Sequence, residues 1–225
     1  MNKQLILNAF SQSAAAYLDV QPHTKARLIL SVDDSASGVQ YFVRRRGNTL
    51  QIAFRGSDSK KDWASNLTFW KRCIPYGNVA SKVRVHTGFL SRYKTPACRE
   101  RILRLITPEI TRVQITGHSY GAALSVLCAV DVQYNFPDRE IEVVLFGCPR
   151  VGNRAFQRSY NARVPQTLRV ENGNDIVTKV PPALFGFHHV GAKVHLGFPR
   201  VPLLLSADAH RLEHYLSGLC PNYLP

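Results

Sequence analysis

The sequence predicts an α/β fold in which a mostly parallel central sheet is flanked by helices on both faces. The centre of the chain carries the clearest pattern: a strand-like run at residues 112–116, an apolar helix across 122–133 and a second buried strand at 142–146. Strand and helix patterns also alternate on either side of this unit, as in successive βαβ units. No repeat, low-complexity tract or linker divides the sequence, so we expect one domain spanning residues 1–225.

The remaining elements are predicted from local patterns. Leu5, Ala9 and Tyr17 follow a helical stripe, and polar residues interrupt the apolar stretch between them. We therefore interpret this segment as a packed first helix rather than a signal peptide. The other predicted elements are strands at residues 39–45, 49–54, 83–85, 167–170 and 187–196, and helices at 99–105, 153–158 and 209–219.

The charge of the chain is unusual. Lysine and arginine total 29 against 15 acidic residues, which gives a formal net charge of +14. Such a balance favours anionic partners, either nucleic acid or the anionic surface of a membrane. The basic residues are nevertheless spread along the chain, with one short cluster at residues 44–46, so nucleic acid is the less favoured partner. A basic surface without a special partner stays an open alternative.

The five cysteines are odd in number, scattered and without a CxxC pair. A thiol in apolar surroundings behaves as a small hydrophobe, so we favour an intracellular location over secretion. The expected location is cytoplasmic, with peripheral membrane contact as an alternative, because no apolar run is long enough to cross a bilayer. A disulfide between two cysteines stays open; the five are Cys73, Cys98, Cys128, Cys148 and Cys220.

The pentapeptide Gly117-His118-Ser119-Tyr120-Gly121 lies where the central strand gives way to the central helix. A serine on such a turn takes strained backbone angles, and the small flanking residues let strand and helix approach closely. Its hydroxyl then points out at the top of the sheet, above a helix N-terminus that favours negative charge. This setting predicts Ser119 as a nucleophile on an α/β-hydrolase fold.

A serine nucleophile needs a histidine to take its proton and a carboxylate to orient that histidine. Asp175 is the predicted acid, because it follows a strand at the sheet edge where catalytic groups gather. His210 and His214 lie one helical turn apart after the last strand. We favour His210 as the base and keep His214 as the alternative. This pair lacks an HExxH pattern and an obvious third ligand, so we expect neither a metal nor another cofactor.

An acyl-transfer site also needs hydrogen-bond donors for the oxyanion. The backbone N–H of Tyr120, directly after the nucleophile, is one predicted donor. Ser57 is the other, because residues 51–58 read as an early strand and a turn in which Gly56 permits a tight geometry.

Further ordered motifs accompany the pentapeptide. They are Phe54-Arg55-Gly56-Ser57 with Asp62-Trp63 and Asn66, His86-Thr87-Gly88-Phe89, Phe146-Gly147-Cys148-Pro149-Arg150-Val151-Gly152-Asn153, Asn174-Asp175-Ile176-Val177 with Pro181-Pro182, and Phe187-His188-His189-Val190-Gly191. Together these motifs resemble the class 3 (fungal-type) lipase family, from near residue 9 to the last helix. The resemblance implies a triacylglycerol lipase or related carboxylic-ester hydrolase with a Ser-Asp-His triad and no metal.

Carried over to this sequence, the resemblance implies Ser119 as nucleophile and Asp175 as acid. It implies Ser57 and Tyr120 as the oxyanion donors. The choice between His210 and His214 stays open, although the spacing to the tyrosine of the last helix suits His210.

Two departures from the family pattern stand out. Ala122 replaces a second glycine often found after the nucleophile motif, a change that we expect to be tolerated. No long amphipathic lid is visible in the sequence. A short apolar flap at a lipid interface, or a part of the core, is predicted instead from Trp63, Leu67, Phe69 and Trp70, flanked by Lys60, Lys61, Lys71 and Arg72.

The sequence thus predicts a serine carboxylic-ester hydrolase that acts on lipids, similar to a triacylglycerol lipase, with a lipid or ester as its partner. One alternative is a phospholipase that acts on anionic membranes. Another is a catalytically silent protein of the same fold that binds lipid or a protein partner. The oligomeric state is left open.

Overall fold

A computed structural model describes residues 3–56, 70–74, 78–197 and 205–220 of the chain. Its strands are β1 (Arg27–Asp34), β2 (Val39–Arg46), β3 (Thr49–Phe54), β4 (Lys71–Cys73), β5 (Arg84–His86), β6 (Arg112–His118), β7 (Glu140–Phe146), β8 (Thr167–Asn172) and β9 (Ala192–Leu196). Seven of them form one sheet in the order β1-β2-β3-β6-β7-β8-β9, and β4 and β5 form a separate two-stranded sheet.

Within the large sheet, β3, β6, β7, β8 and β9 pair in parallel, and β1 and β2 add to them in antiparallel fashion. The prediction of a mostly parallel central sheet flanked by helices is confirmed. The parallel register pairs Phe54 with Gly117 and His118 with Phe146. Three strands therefore end side by side, and the loops that follow them meet at one edge of the sheet.

Helices cover both faces of this sheet. They are α1 (Lys3–Ala15), α2 (Thr87–Tyr93), α3 (Arg101–Arg104), α4 (Tyr120–Asn135), α5 (Arg154–Arg163) and α6 (Leu212–Leu219), with a π-helical turn at Pro96–Glu100 and 3-10 turns at Ile176–Lys179, Ala183–Phe185 and Asp208–His210. Among the described residues, no helix has both the length and the apolar character required to span a bilayer.

The side chains of β7 point alternately to the two faces of the sheet and so contribute to two separate core layers. Val143 and Leu145 join the core cluster beneath α4, whereas Val144 and Phe146 join a second cluster with α1 and α6. Successive side chains of a strand point to opposite faces, so a strand buried on both sides is apolar throughout. The first helix packs against the sheet, but its buried face is centred on Ile6 and Phe10; Leu5 and Ala9 of the predicted stripe are half-buried, and Tyr17 follows the end of the helix.

Three predicted elements differ from the structure. The helix expected at residues 99–105 is divided into the π-helical turn and α3. The strand expected at 187–196 begins only at Ala192, because His188 bridges to Gly152 and His189 bonds to the Thr178 carbonyl outside the sheet. The last helix begins at Leu212, because residues 208–210 form a separate 3-10 turn. All five cysteines are free thiols.

Candidate active site

Ser119 lies in a strained turn between β6 and α4. Its φ and ψ of 60° and −126° make it the one non-glycine residue with positive φ among the described residues. Its backbone N–H donates to the Phe146 carbonyl at 2.9 Å, which ties the turn to the end of β7. An outlier of this kind persists where the surrounding structure enforces it, and here it holds a serine at the carboxyl edge of the sheet.

The two glycines that flank this serine are required by close backbone packing. A Cβ at Gly121 would lie 2.4 Å from the Phe54 carbonyl oxygen, and one at Gly117 would lie 2.6 Å from the carbonyl carbon of Gly121. Both distances are far inside van der Waals contact, so only glycine lets helix and strands meet here. Ala122, in contrast, is fully buried in α4, and the structure accommodates its methyl group.

Asp175 and His210 form a buried pair beside this turn. His210 Nδ1 lies 2.8 Å from Asp175 Oδ2, and the Tyr215 hydroxyl donates to the same oxygen at 2.6 Å. The Val177 N–H donates to the other carboxylate oxygen at 2.8 Å. Burial alone would raise the pKa of Asp175, but the hydrogen bond and charge of His210 and the bonds from Tyr215 and Val177 outweigh it and lower this pKa.

The second nitrogen of His210 is available for proton transfer. Because Nδ1 donates to a carboxylate, Nε2 of the neutral ring carries a lone pair. This nitrogen is buried and has no hydrogen-bond partner among the described residues. An orphaned buried acceptor costs free energy unless a ligand or a reacting group satisfies it, as a serine hydroxyl would.

Gly147 connects this pair to the serine turn. Gly147 follows Phe146, the acceptor of the Ser119 N–H. A Cβ at this position would lie 2.7 Å from His210 Cε1 and 2.9 Å from Asp175 Oδ2, so the pair packs directly on the backbone. Ser119, Asp175 and His210 are thus gathered around the end of β7. Sequence analysis did not assign Gly147 a role, although it lies in one of the ordered motifs.

His214 lies elsewhere. Its Nε2 is 2.8 Å from Asp208 Oδ2 on a partly exposed face of α6. The structure therefore brings Asp175 together with His210 and not with His214. The bond from Tyr215 to Asp175 is not evident from the sequence. In an amphipathic helix, a tyrosine that bonds to a buried carboxylate occupies the same periodic positions as an ordinary core residue.

The predicted oxyanion donors are described only in part. Ser57 lies outside the described residues. The turn that leads to it does reach the nucleophile, because a Cβ at Gly56 would lie 3.2 Å from Ser119 Cβ. Tyr120 is the first residue of α4, and the first N–H groups of a helix have no intrahelical acceptor. Its ring packs edge-on against Phe89, with 5.8 Å between ring centroids, so the backbone is the part of Tyr120 suited to an oxyanion.

Three exposed apolar side chains lie beside β4 and in the turn at Ala183–Phe185. We define the apolar rim as Trp70, Leu184 and Phe185, whose exposed fractions are 76%, 91% and 48%. Lys71 Nζ donates to the Phe185 carbonyl at 2.6 Å, which holds β4 beside the turn at Ala183–Phe185. The predicted flap residues Trp63, Leu67 and Phe69, and Lys60 and Lys61, lie outside the described residues; Trp70 is exposed and not part of the core.

Lys71, which bonds to the apolar rim, belongs to a group of cations. Burial lowers the pKa of His188, and the nearby cations Arg154, Arg150 and Lys71 lower it further. Burial likewise lowers the pKa of Lys179, with further lowering by Arg150 and Lys193. These shifts require several positive charges within a short distance of one another. Part of the net charge of the chain is thus concentrated in a group of cations that includes Lys71.

The described ranges contain no group of three or more histidine, cysteine, aspartate or glutamate side chains that could hold a metal ion. A serine hydroxyl, an imidazole and a carboxylate in this arrangement can support acyl transfer.

Comparison with known proteins places this geometry in context. A family model described as Lipase (class 3) matches residues 51–185. The chain is 35% identical over 147 residues to a chloroplastic phospholipase A(1) of Arabidopsis thaliana, covering 58% of this chain and 33% of that protein. It is 33% identical over 151 residues to a lipase of Rhizomucor miehei, covering 64% of this chain and 40% of that protein. It therefore spans well under two thirds of these curated relatives.

A solved lipase structure also resembles this chain in its fold. A triacylglycerol lipase whose catalytic centre is described as a serine protease triad matches with a TM-score of 0.75 and 27% sequence identity. The match covers 86% of this chain and 79% of that chain. The seven-stranded sheet and the serine turn described above are thus parts of a fold seen in a lipase.

Proposed function

Since this chain belongs to the class 3 lipase family and has its α/β-hydrolase fold, we propose that it hydrolyses carboxylic esters of lipids through an acyl-enzyme on Ser119. The observation that carries this proposal is the strained serine turn beside the buried pair of Asp175 and His210. The proposal is supported by the backbone and side-chain hydrogen bonds that hold Ser119, Asp175 and His210 at one edge of the sheet.

The proposed reaction begins when Ser119 Oγ attacks the ester carbonyl and its proton passes to His210 Nε2. Asp175 stabilises the imidazolium, which keeps Nδ1 as the donor to its carboxylate. Backbone N–H groups of Tyr120 and Ser57 hold the oxyanion. The imidazolium then protonates the leaving alcohol, and a water molecule, deprotonated by His210, hydrolyses the acyl-enzyme and restores the serine.

The test is the loss of turnover on replacing Ser119. Ser119→Ala should abolish hydrolysis of a p-nitrophenyl ester, and a fluorophosphonate should label the unchanged protein at Ser119. Ser91→Ala is the matched control, because the Ser91 hydroxyl is an exposed donor to the Gly88 carbonyl. Retained turnover in Ser119→Ala would refute the mechanism. An unchanged protein that neither turns over esters nor reacts with the probe would instead be the catalytically silent lipid- or partner-binding protein.

The apolar rim and its cations favour a second candidate, a phospholipase that acts on anionic membranes. Exposed aromatic and aliphatic side chains insert into the acyl boundary of a bilayer, and nearby cations are attracted to anionic headgroups. We propose peripheral contact with anionic membranes on this basis. The candidate predicts faster turnover on phosphatidylglycerol vesicles than on phosphatidylcholine vesicles or triacylglycerol emulsions. The reverse order would leave the triacylglycerol lipase as the proposed activity.

A further inference from the structure

A second histidine lies directly against the proposed base. His118 precedes Ser119 in the chain, and its ring stacks on the ring of His210 with 4.5 Å between centroids and an interplanar angle of 26°. Both side chains are buried, with exposed fractions of 5% and 6%. The mechanism above gives His118 no part, although it is in contact with a residue that must change charge during each turnover.

The hydrogen bonds of His118 define its protonation. Its Nε2 lies 2.8 Å from the His210 carbonyl oxygen, which can only accept, so Nε2 carries the proton. Its Nδ1 lies 2.8 Å from the Tyr17 hydroxyl. In the neutral ring Nδ1 is then an acceptor, and Tyr17 is the donor. One tautomer of an uncharged His118 therefore satisfies both contacts.

Tyr17 connects His118 to a third segment of the chain, the turn at Gly56. A Cβ at Gly56 would lie 2.1 Å from the Tyr17 hydroxyl oxygen, so this hydroxyl rests against the backbone that leads to Ser57. The Tyr17–His118 pair thus contacts the turn of one proposed oxyanion donor and the backbone of the proposed base. His118 is itself covalently joined to the nucleophile.

Two further groups face the pair. The Arg55 guanidinium lies over the Tyr17 ring at 5.5 Å, and the Tyr215 ring meets His118 edge-on at 5.9 Å between centroids. A protonated His118 would bring a second positive charge to this cluster and could not accept from Tyr17. His210 becomes an imidazolium during the proposed reaction, and a neutral His118 stacked on it does not repel that charge.

We propose that the Tyr17–His118 pair is a positioning device that sets the backbone and ring of His210 against Ser119; this proposal rests on the proposed function. Neither residue exchanges a proton with the substrate. Their effect is on the alignment of His210 Nε2 with the serine hydroxyl. A displacement of about 1 Å at a reacting centre can cost about 100-fold in rate, so a lost hydrogen bond to the backbone of the base should be visible in kcat.

The experiment compares His118→Ala, His118→Gln and Tyr17→Phe on a p-nitrophenyl ester. We expect His118→Ala to lower kcat about 10- to 100-fold with KM within about twofold of the unchanged protein. Glutamine can donate to the His210 carbonyl, so His118→Gln should recover much of this loss. Tyr17→Phe should have a smaller effect, and the double variant Tyr17→Phe/His118→Ala should be no slower than His118→Ala alone, because the two residues act as a unit.

Nitrogen NMR of the imidazoles supplies a readout that stability alone would not move. The unchanged protein should show His118 protonated at Nε2, and Tyr17→Phe should change the His118 signals while leaving the protein folded. If His118→Ala does not fold, His118→Gln and Tyr17→Phe carry the test. Folded variants with the kcat of the unchanged protein would overturn the positioning role. An unchanged protein that is inactive and unreactive toward a fluorophosphonate would instead overturn the proposed function.

Discussion

The buried acid–histidine pair and the apolar rim lie in opposite environments. Asp175 and His210 are 1% and 6% exposed, and the carboxylate accepts three hydrogen bonds. In the rim, Leu184 is 91% exposed and Trp70 is 76% exposed. The first region is defined by internal contacts, whereas the second presents its side chains to whatever surrounds the protein.

Because of this difference, we expect the buried pair to determine the rate of the chemical step and the apolar rim to determine which surface the protein binds. Charges and hydrogen bonds act strongly in a buried site, because water does not screen them. A single change there should alter the rate by orders of magnitude. Contacts of an exposed apolar residue or cation with a membrane are individually weak and additive, and they depend on salt. Changes in the rim should therefore alter which surface the protein meets more than the rate of the chemical step.

The largest expected effect is at the carboxylate. Asp175→Asn should lower kcat about 10⁴-fold, because an amide cannot stabilise the imidazolium and favours the wrong tautomer of His210. Single-turnover kinetics on a p-nitrophenyl ester would measure it. Asp208→Asn is the matched control, since Asp208 is exposed and pairs with His214. Equal losses in both variants would contradict the assignment of the acid and the distinction between the two regions.

A smaller loss is expected when the phenol beside the carboxylate is removed. Tyr215→Phe deletes one hydrogen bond to a charged group, which is worth about 1.5–3 kcal/mol, so kcat/KM should fall about 10- to 100-fold. That bond lowers the pKa of Asp175, and without it this pKa rises. The part of the acid limb that reflects protonation of Asp175 should therefore move to higher pH. The control Tyr134→Phe alters an exposed tyrosine; an unmoved acid limb in Tyr215→Phe would argue against this coupling.

His189 should make the stability of the protein depend on pH. Burial first, and then the charge of Arg150, lower its pKa from 6.5 to about 4. Between these values the unfolded chain binds more protons than the folded chain, so the free energy of unfolding falls as the pH decreases. The expected loss from pH 7 to pH 5 is about 2 kcal/mol. Urea unfolding of His189→Gln should show a correspondingly flatter dependence, and the same slope in both proteins would speak against it.

The smallest effect is expected in the rim. Leu184→Ser should weaken binding to phosphatidylglycerol vesicles about 3- to 10-fold, because part of one leucine side chain no longer enters the bilayer. Hydrolysis of a short soluble ester should stay within about twofold. Leu28→Ser is the matched control, since Leu28 is an exposed leucine on the edge strand β1. If both variants bind vesicles alike, the apolar rim is not the membrane contact.

Much of the fold and part of the candidate site could be predicted because they depend on local sequence. Neighbouring residues are sufficient to predict β6 and β7, because both are apolar runs of strand length. They are also sufficient to predict the turn between strand and helix, because glycines flank its serine. Ala122, the departure from the family pattern, is accommodated because a methyl group fits the buried side of α4. The start of β9 was misplaced, because the residues around His188 and His189 have a strand-like pattern, whereas these two histidines bond to Gly152 and Thr178 outside the sheet.

The sequence by itself determined the serine turn, the alternating layers and an acid after β8, because each is a pattern of neighbouring residues. Only the tertiary structure decided that His210 and not His214 meets Asp175, that Tyr215 shares the same oxygen, and that Tyr17 reaches His118. These contacts join residues 35 to 101 positions apart. Periodicity and spacing carry no information about such distances, since the packing of α1 and α6 against the sheet creates them.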